Sequence, residues 1–130
     1  MNCLQANEVV YAYQNKYQLV QALSGVSADF AQGQLYAIIG ASGSGKTTFL
    51  SLLAGLDVPT SGSITWNGTS TAELDRDAYR LEHVSVIYQD FNLFSHLTVL
   101  ENAAYPLYAR KMSKKEGDAL AKEKLLALGL

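Results

Sequence analysis

Residues 40–47 read Gly-Ala-Ser-Gly-Ser-Gly-Lys-Thr, a full match to the pattern G-x-x-x-x-G-K-[ST]. Each residue type at that spacing serves the binding of phosphate groups. Gly40, Gly43 and Gly45 permit backbone angles closed to other residues, and let the chain approach an anion without side-chain collision. Successive N–H groups then converge on one concavity, and the helix that follows adds the positive end of its dipole. Lys46 brings a point charge to the β- and γ-phosphates, and Thr47 offers a hydroxyl to Mg2+. The bland alternative is a Gly/Ser-rich turn between a strand and a helix. Context argues against it, because an apolar strand pattern precedes the loop directly and a helical pattern follows at Lys46.

The elements that must position this loop are legible on both sides. Val9 to Tyr13 is rich in β-branched and aromatic types and predicts a strand, with Gln14, Asn15 and Lys16 as a polar turn. Val26, Ala28 and Phe30 alternate with Ser27 and Asp29, the pattern of a half-buried strand, and Gly33 marks a turn. Leu35 to Ile39 is a continuous apolar run, which predicts a strand buried on both faces and feeding the loop. Lys46 to Ala54 predicts a helix apolar on nearly every side, hence buried, with Gly55 placed for a left-handed C-terminal residue.

Ser63 to Trp66 predicts a short strand ending in the hairpin turn Asn67-Gly68. Val84 to Tyr88 predicts another buried strand. Ser70 with Glu73, Thr98 with Glu101, and Ser113 with Glu116 have capping-box spacing, placing helix starts near 71, 99 and 114. Pro106 predicts a kink or break in the second of these helices. Six of the ten basic residues lie between Arg110 and Lys124. Glu116, Asp118 and Glu123 are interleaved with them, and Asp118 and Lys122 stand at i,i+4, so a solvated helix face is favoured over an anion-binding patch. Leu120, Ala121, Leu125 and Leu128 would form its inward stripe.

The whole chain of 130 residues suits one domain, and its 48% hydrophobic content excludes a disordered polar chain. Ten Lys and Arg against twelve Asp and Glu leave a net charge of −2, which disfavours nucleic-acid binding. The single cysteine, Cys3, excludes an intramolecular disulfide and a Cys-rich metal site, and suits a reducing compartment. No apolar run approaches the ~20 residues of a spanning helix. The first residues lack the basic and apolar regions of a signal peptide, so a soluble, intracellular chain is expected.

From about residue 4 onward, the order of these landmarks resembles the ATP-binding subunit of ABC transporters. Gly40 to Thr47, continued by Thr48, is similar to that family's Walker A loop. Pro59-Thr60-Ser61-Gly62-Ser63-Ile64 looks like its "P-T-S-G-x-I" strand, and Val84 to Asp90 like its Q-loop. Leu97-Thr98-Val99-Leu100-Glu101-Asn102 matches the segment that leads into the family's helical subdomain. The wording from Tyr88 to Phe94 and from Leu97 to Asn102 is nearest the lipoprotein-release and macrolide-export branch.

The resemblance implies an α/β fold, with a P-loop NTPase core, an N-terminal antiparallel β portion and the start of a helical subdomain. It implies ATP and Mg2+ as cofactors, held by Gly40, Ala41, Ser42, Gly43, Ser44, Gly45, Lys46, Thr47 and Thr48. Lys46 and Gln89 would act in catalysis, Gln89 by touching the metal and the attacking water, and Thr47 and Gln89 would face the Mg2+. Tyr13 takes the place of the aromatic residue that stacks on adenine, with Tyr11 and Tyr17 as rivals and an ordinary strand tyrosine as the bland reading. The bland reading of Gln89 is a surface glutamine at a strand end.

The implied partners are a transmembrane permease and a second nucleotide-binding domain, on the cytoplasmic face of a membrane. The permease would dock between Asp90–His96 and the helix carrying Tyr105, Leu107 and Tyr108. The family's Leu-Ser-Gly-Gly-Gln signature and the strand ending in Asp-Glu do not occur in these residues. Asp57 and Asp90 do not replace that pair, and His83 and His96 read as solvent-exposed or loop residues. Residues 1–130 therefore read as the N-terminal part of an ABC-type nucleotide-binding domain, without its general base. A non-hydrolysing regulatory module, or another P-loop phosphotransferase such as a small-molecule kinase, is the alternative.

Overall fold

A computed structural model of the chain describes residues 2–14 and 18–130. It divides into two compact units, Met1–Ser85 and Val86–Leu130.

The first unit is built on an antiparallel sheet. The apolar and aromatic stretch around Val9 lies in β1 (Asn2–Gln14), which pairs with β2 (Leu19–Ala31) on one side and β3 (Ser61–Trp66) on the other. A two-residue β4 (Thr69–Ser70) follows the Asn67-Gly68 turn, whose residues have φ of 48° and 85°. The strand order is β2-β1-β3-β4. The remainder of the expected polar turn, Asn15 and Lys16, lies outside the described residues, as does Tyr17. Val26, Ala28 and Phe30 are half-buried while Ser27 and Asp29 face solvent, as the alternation requires.

Helix α1 (Lys46–Leu53) closes the core over this sheet. Phe49, Leu52 and Leu53 join Val9, Leu23 and Ile64, with Phe30 and Ile38 packed at the margin. Gly55 sits at φ 69° just beyond the helix, as anticipated. The helix is buried along one side only: Leu50 is exposed, because the sheet covers a single face.

Expectations about two strands and one helix start also need correction. Leu35 to Ile39 and Val84 to Tyr88 are not strands; Leu35 is fully exposed, and Ile87 is 98% exposed. An apolar run acquires strand structure only when a neighbouring strand takes up its N–H and C=O groups, and among the described residues neither run has one. The third correction concerns residue 71. Ser70 pairs with Thr65 in β4, and the Thr71 N–H donates to the Ile64 carbonyl at 2.8 Å, so both still belong to the hairpin. Helix α2 (Arg76–Glu82) starts later, capped by Asp75, whose carboxylate accepts from the N–H groups of Asp77 and Ala78.

The second unit is a helical hairpin. Helix α3 (Val99–Ala109) and helix α4 (Lys114–Ala127) each begin with a complete capping box, Thr98 with Glu101 and Ser113 with Glu116. The amide of Asn102 donates to the carbonyls of Phe94 and Leu97, tying the preceding loop to α3. Helix α3 continues through Pro106 for three more residues. Buried Ala104, Gly117 and Ala121 are small, which lets the two helices approach closely. The Tyr108 hydroxyl donates to Asp118, so that carboxylate is engaged across the helix pair instead of with Lys122. Leu120 and Leu125 are half-buried, but Leu128 lies beyond the helix and is exposed.

Candidate nucleotide site

Loop 40–45 leaves the edge of the core and turns into α1 at Gly45, which has φ 87° as the residue preceding the helix. A Cβ there would lie 2.4 Å from the Ala22 carbonyl oxygen and 2.8 Å from a Leu23 methyl. Glycine is thus required for two reasons, the left-handed backbone and the approach of the loop to β2. The second reason is a property of the fold that the motif alone does not disclose.

The loop wraps around the Lys46 ammonium. Lys46 Nζ donates to the Gly40 carbonyl at 2.8 Å and the Ala41 carbonyl at 2.7 Å, with the Ser44 hydroxyl at 3.5 Å. Ala41, Ser42, Gly43, Ser44 and Thr47 are all exposed around it. The start of α1 has no side-chain cap and no acidic residue in its first turn. By contrast, α2, α3 and α4 each have both. The positive end of α1 is therefore open to an anion from elsewhere.

Tyr13 stands beside this loop. Its hydroxyl and the Thr48 Oγ1 are 3.0 Å apart, while the ring remains 51% exposed. Its neighbour on the same strand face, Tyr11, presents a ring edge at a centroid distance of 4.9 Å. Tyr11 in turn donates its hydroxyl to Asp57. That bond, with the Val58 N–H second, holds the Asp57 carboxyl below the usual carboxylate range. The same bond pushes the Tyr11 hydroxyl up to about 12.

The structure thus brings together Tyr13, Thr48, Lys46 and the loop of residues 40–47. Gln89 belongs to the second unit, exposed in a bend. His83 and His96 are exposed, with their rings near Trp66 and Phe94 respectively. Asp57 and its bond to Tyr11 escaped the sequence reading. The available signal was the i,i+2 spacing of Tyr11 and Tyr13, which puts both rings on one strand face. Nothing local pointed to Asp57, which is 46 positions from Tyr11.

Among the described residues, no group of three His, Cys, Asp or Glu could hold a metal ion. The chemistry of the donors still fits Mg2+, which is commonly bound through one or two protein oxygens plus the phosphates of a substrate. Here the Thr47 hydroxyl at the first turn of α1 would be such an oxygen.

Comparison with known proteins bears on the same segments. The family model for ABC transporters matches residues 23–129. The methionine import ATP-binding protein MetN of Latilactobacillus sakei is 42% identical over 98% of this chain and 38% of its own length. The lipoprotein-releasing system ATP-binding protein LolD of Alcanivorax borkumensis is also 42% identical, over 98% of this chain and 57% of its own length. Among solved structures, a dimeric ATP-binding cassette, MJ0796, in a post-hydrolysis state bound to ADP and phosphate, has a TM-score of 0.83. It is 32% identical, covering 92% of this chain and 54% of that one. The chain thus spans about half the length, or less, of the relatives it matches, and its α/β fold is that of part of a P-loop ABC ATPase. On these matches, which run along most of its residues, the chain belongs to the ABC transporter family.

Proposed function

We propose that residues 40–48 bind Mg-ATP, and that the chain is part of the ATPase subunit of an ABC transporter. The observation that carries this is the Lys46 ammonium held inside a loop whose helix N-terminus has no cap of its own. On this reading Lys46 exchanges loop carbonyls for β- and γ-phosphate oxygens, and the loop N–H groups take the remaining oxygens. Thr47 would hold the metal, which when bound would neutralise charge on the phosphates. Thr48 adds to the phosphate side, Tyr13 receives the base, and Gln89 would act on metal and water as the resemblance implies. The solved relative bound to ADP and phosphate supports the nucleotide class.

The transported direction is read as export, from the wording of residues 88–102. Import and release proteins match at the same identity, so this rests on those residues alone. The partners proposed are a transmembrane permease and a second copy of the nucleotide-binding domain, the latter supported by the dimeric relative. No helix among the described residues is long and apolar enough to cross a membrane. A groove in the second unit lined by Phe94, Tyr105, Tyr108 and Met112 is the proposed permease contact, with the chain on the cytoplasmic face.

Titration with a fluorescent ATP analogue tests the central claim. Lys46→Ala removes the side-chain cation of the loop and should weaken binding strongly. Equal affinity in parent and variant would end the proposal. Steady phosphate release by these 130 residues is not expected, since they include neither the signature nor an Asp-Glu strand end.

A further inference from the structure

We propose that Tyr11 and Asp57 are positioning residues for nucleotide binding, holding the Tyr13 ring in place beside the phosphate loop. This rests on the reading of Tyr13 as the surface on which the base lies. An exposed aromatic ring helps a flat ligand most when it is already fixed in the bound orientation, because the ligand then does not have to order it. Tyr13 has two restraints. One is its hydroxyl contact with Thr48, a residue on the phosphate side of the same site. The other is the edge of Tyr11, nearly perpendicular to it at an interplanar angle of 83°.

Tyr11 is held firmly enough to serve. Its hydroxyl donates to Asp57 Oδ2, and Asp57 Oδ1 accepts from the Val58 N–H at 2.8 Å, which fixes the carboxylate plane. The residues flanking Tyr11 are both bonded to Thr60. The Thr60 N–H donates to the Val10 carbonyl at 2.9 Å, and the Ala12 N–H donates to the Thr60 hydroxyl at 3.1 Å. Segment 57–60, between α1 and β3, therefore holds Tyr11 through one bond to its hydroxyl and two to the backbone on either side of it. Because segment 57–60 follows α1 directly, one helix has the phosphate loop at its start and the brace for the base platform just past its end.

The test compares the parent chain with Tyr13→Ala, Tyr11→Phe, Asp57→Ala and Asp57→Asn at micromolar concentration. Each is titrated with ATP and with inorganic triphosphate, which has no base. Tyr13→Ala should lower ATP affinity about fivefold or more and leave triphosphate unchanged. Tyr11→Phe and Asp57→Ala should each lower the ATP-to-triphosphate ratio about threefold. Asp57→Asn keeps an oxygen for the Tyr11 hydroxyl and should recover most of the loss. In chains labelled with fluorotyrosine, the Tyr13 resonance should also shift in Tyr11→Phe before any nucleotide is added.

A ratio that falls in Tyr13→Ala but stays at the parent value in Tyr11→Phe and Asp57→Ala overturns the positioning role and leaves the base reading standing. A ratio unchanged in Tyr13→Ala overturns both. Should Asp57→Ala fail to fold, Tyr11→Phe decides alone, since it removes one oxygen and keeps the ring.

Discussion

Lys46 Nζ donates to the Gly40 carbonyl at 2.8 Å, so the last side chain of the loop is folded back on its first residue. The partners of this ammonium are carbonyls on an exposed loop, which water can serve equally well. Lys46→Met should therefore shift unfolding stability by no more than ~1 kcal/mol. Nucleotide affinity should drop steeply in the same variant. Urea melts and ATP-analogue titrations on one preparation separate the two effects, and a variant that loses stability and affinity together would show Lys46 to be a structural residue.

The bond between Tyr11 and Asp57 predicts a dependence on pH at both ends of the scale. Asp57 stays ionised to lower pH in the folded chain than in the unfolded one. Its contribution is present above the ordinary carboxylate range and is lost as pH falls through the folded value. Tyr11 works in the other sense. Between the ordinary value of 10.0 and about 12, the folded chain keeps a proton that the unfolded chain has released, so stability falls as pH rises through that window. Urea midpoints measured against pH should show Asp57→Asn flattening the acid limb and Tyr11→Phe flattening the alkaline limb. Profiles parallel to the parent at both ends would contradict the bond.

Thr71 is fully buried, and its hydroxyl has no hydrogen-bond partner among the described residues. Its backbone already holds the hairpin through Ile64, so the side chain can change without loss of that bond. An unsatisfied buried hydroxyl costs ~1–3 kcal/mol, and valine has nearly the same shape without it. Thr71→Val should raise stability by about 1 kcal/mol on that basis. A less stable variant would mean that the hydroxyl is satisfied in solution.

Gly117 sits in α4, where alanine would ordinarily favour the helix by up to ~1 kcal/mol. A Cβ at this position would lie 2.8 Å from the Tyr108 ring, and that ring is tethered through its hydroxyl to Asp118. Overpacking against a side chain that cannot swing away costs ~1–3 kcal/mol, so the clash should win. Gly117→Ala is expected to lower the melting temperature. A stabilised variant would show that Tyr108 moves freely.

The sequence was most informative where a local rule decides the outcome. Thr98 with Glu101 and Ser113 with Glu116 became capping boxes, and Asn67-Gly68 became the hairpin turn, because each is settled within a few residues. The turn from the loop at Gly45 into a helix at Lys46 was legible for the same reason. Ser70 with Glu73 had the same spacing and failed, since the hairpin had already claimed Ser70 and Thr71. Long-range relationships were not legible. Neither the closeness of Gly45 to Ala22 nor the clamp of segment 57–60 on Tyr11 has any local pattern.

The apolar runs around Leu35 and Ile87 show what a pattern means when no strand among the described residues pairs with it. Both read as buried strands, yet Leu35 is 100% and Ile87 98% exposed. Exposed apolar segments with unpaired backbone invite association with other chains. A lysine at either position removes apolar surface while disturbing no packing, so Leu35→Lys and Ile87→Lys should change stability by less than ~0.5 kcal/mol. Both should also reduce self-association, seen as lower light scattering at equal concentration. The two readouts have to move independently. A loss of stability above ~1 kcal/mol in either variant would mean that the side chain is packed in solution, and unchanged scattering in both would place the adhesive surface elsewhere.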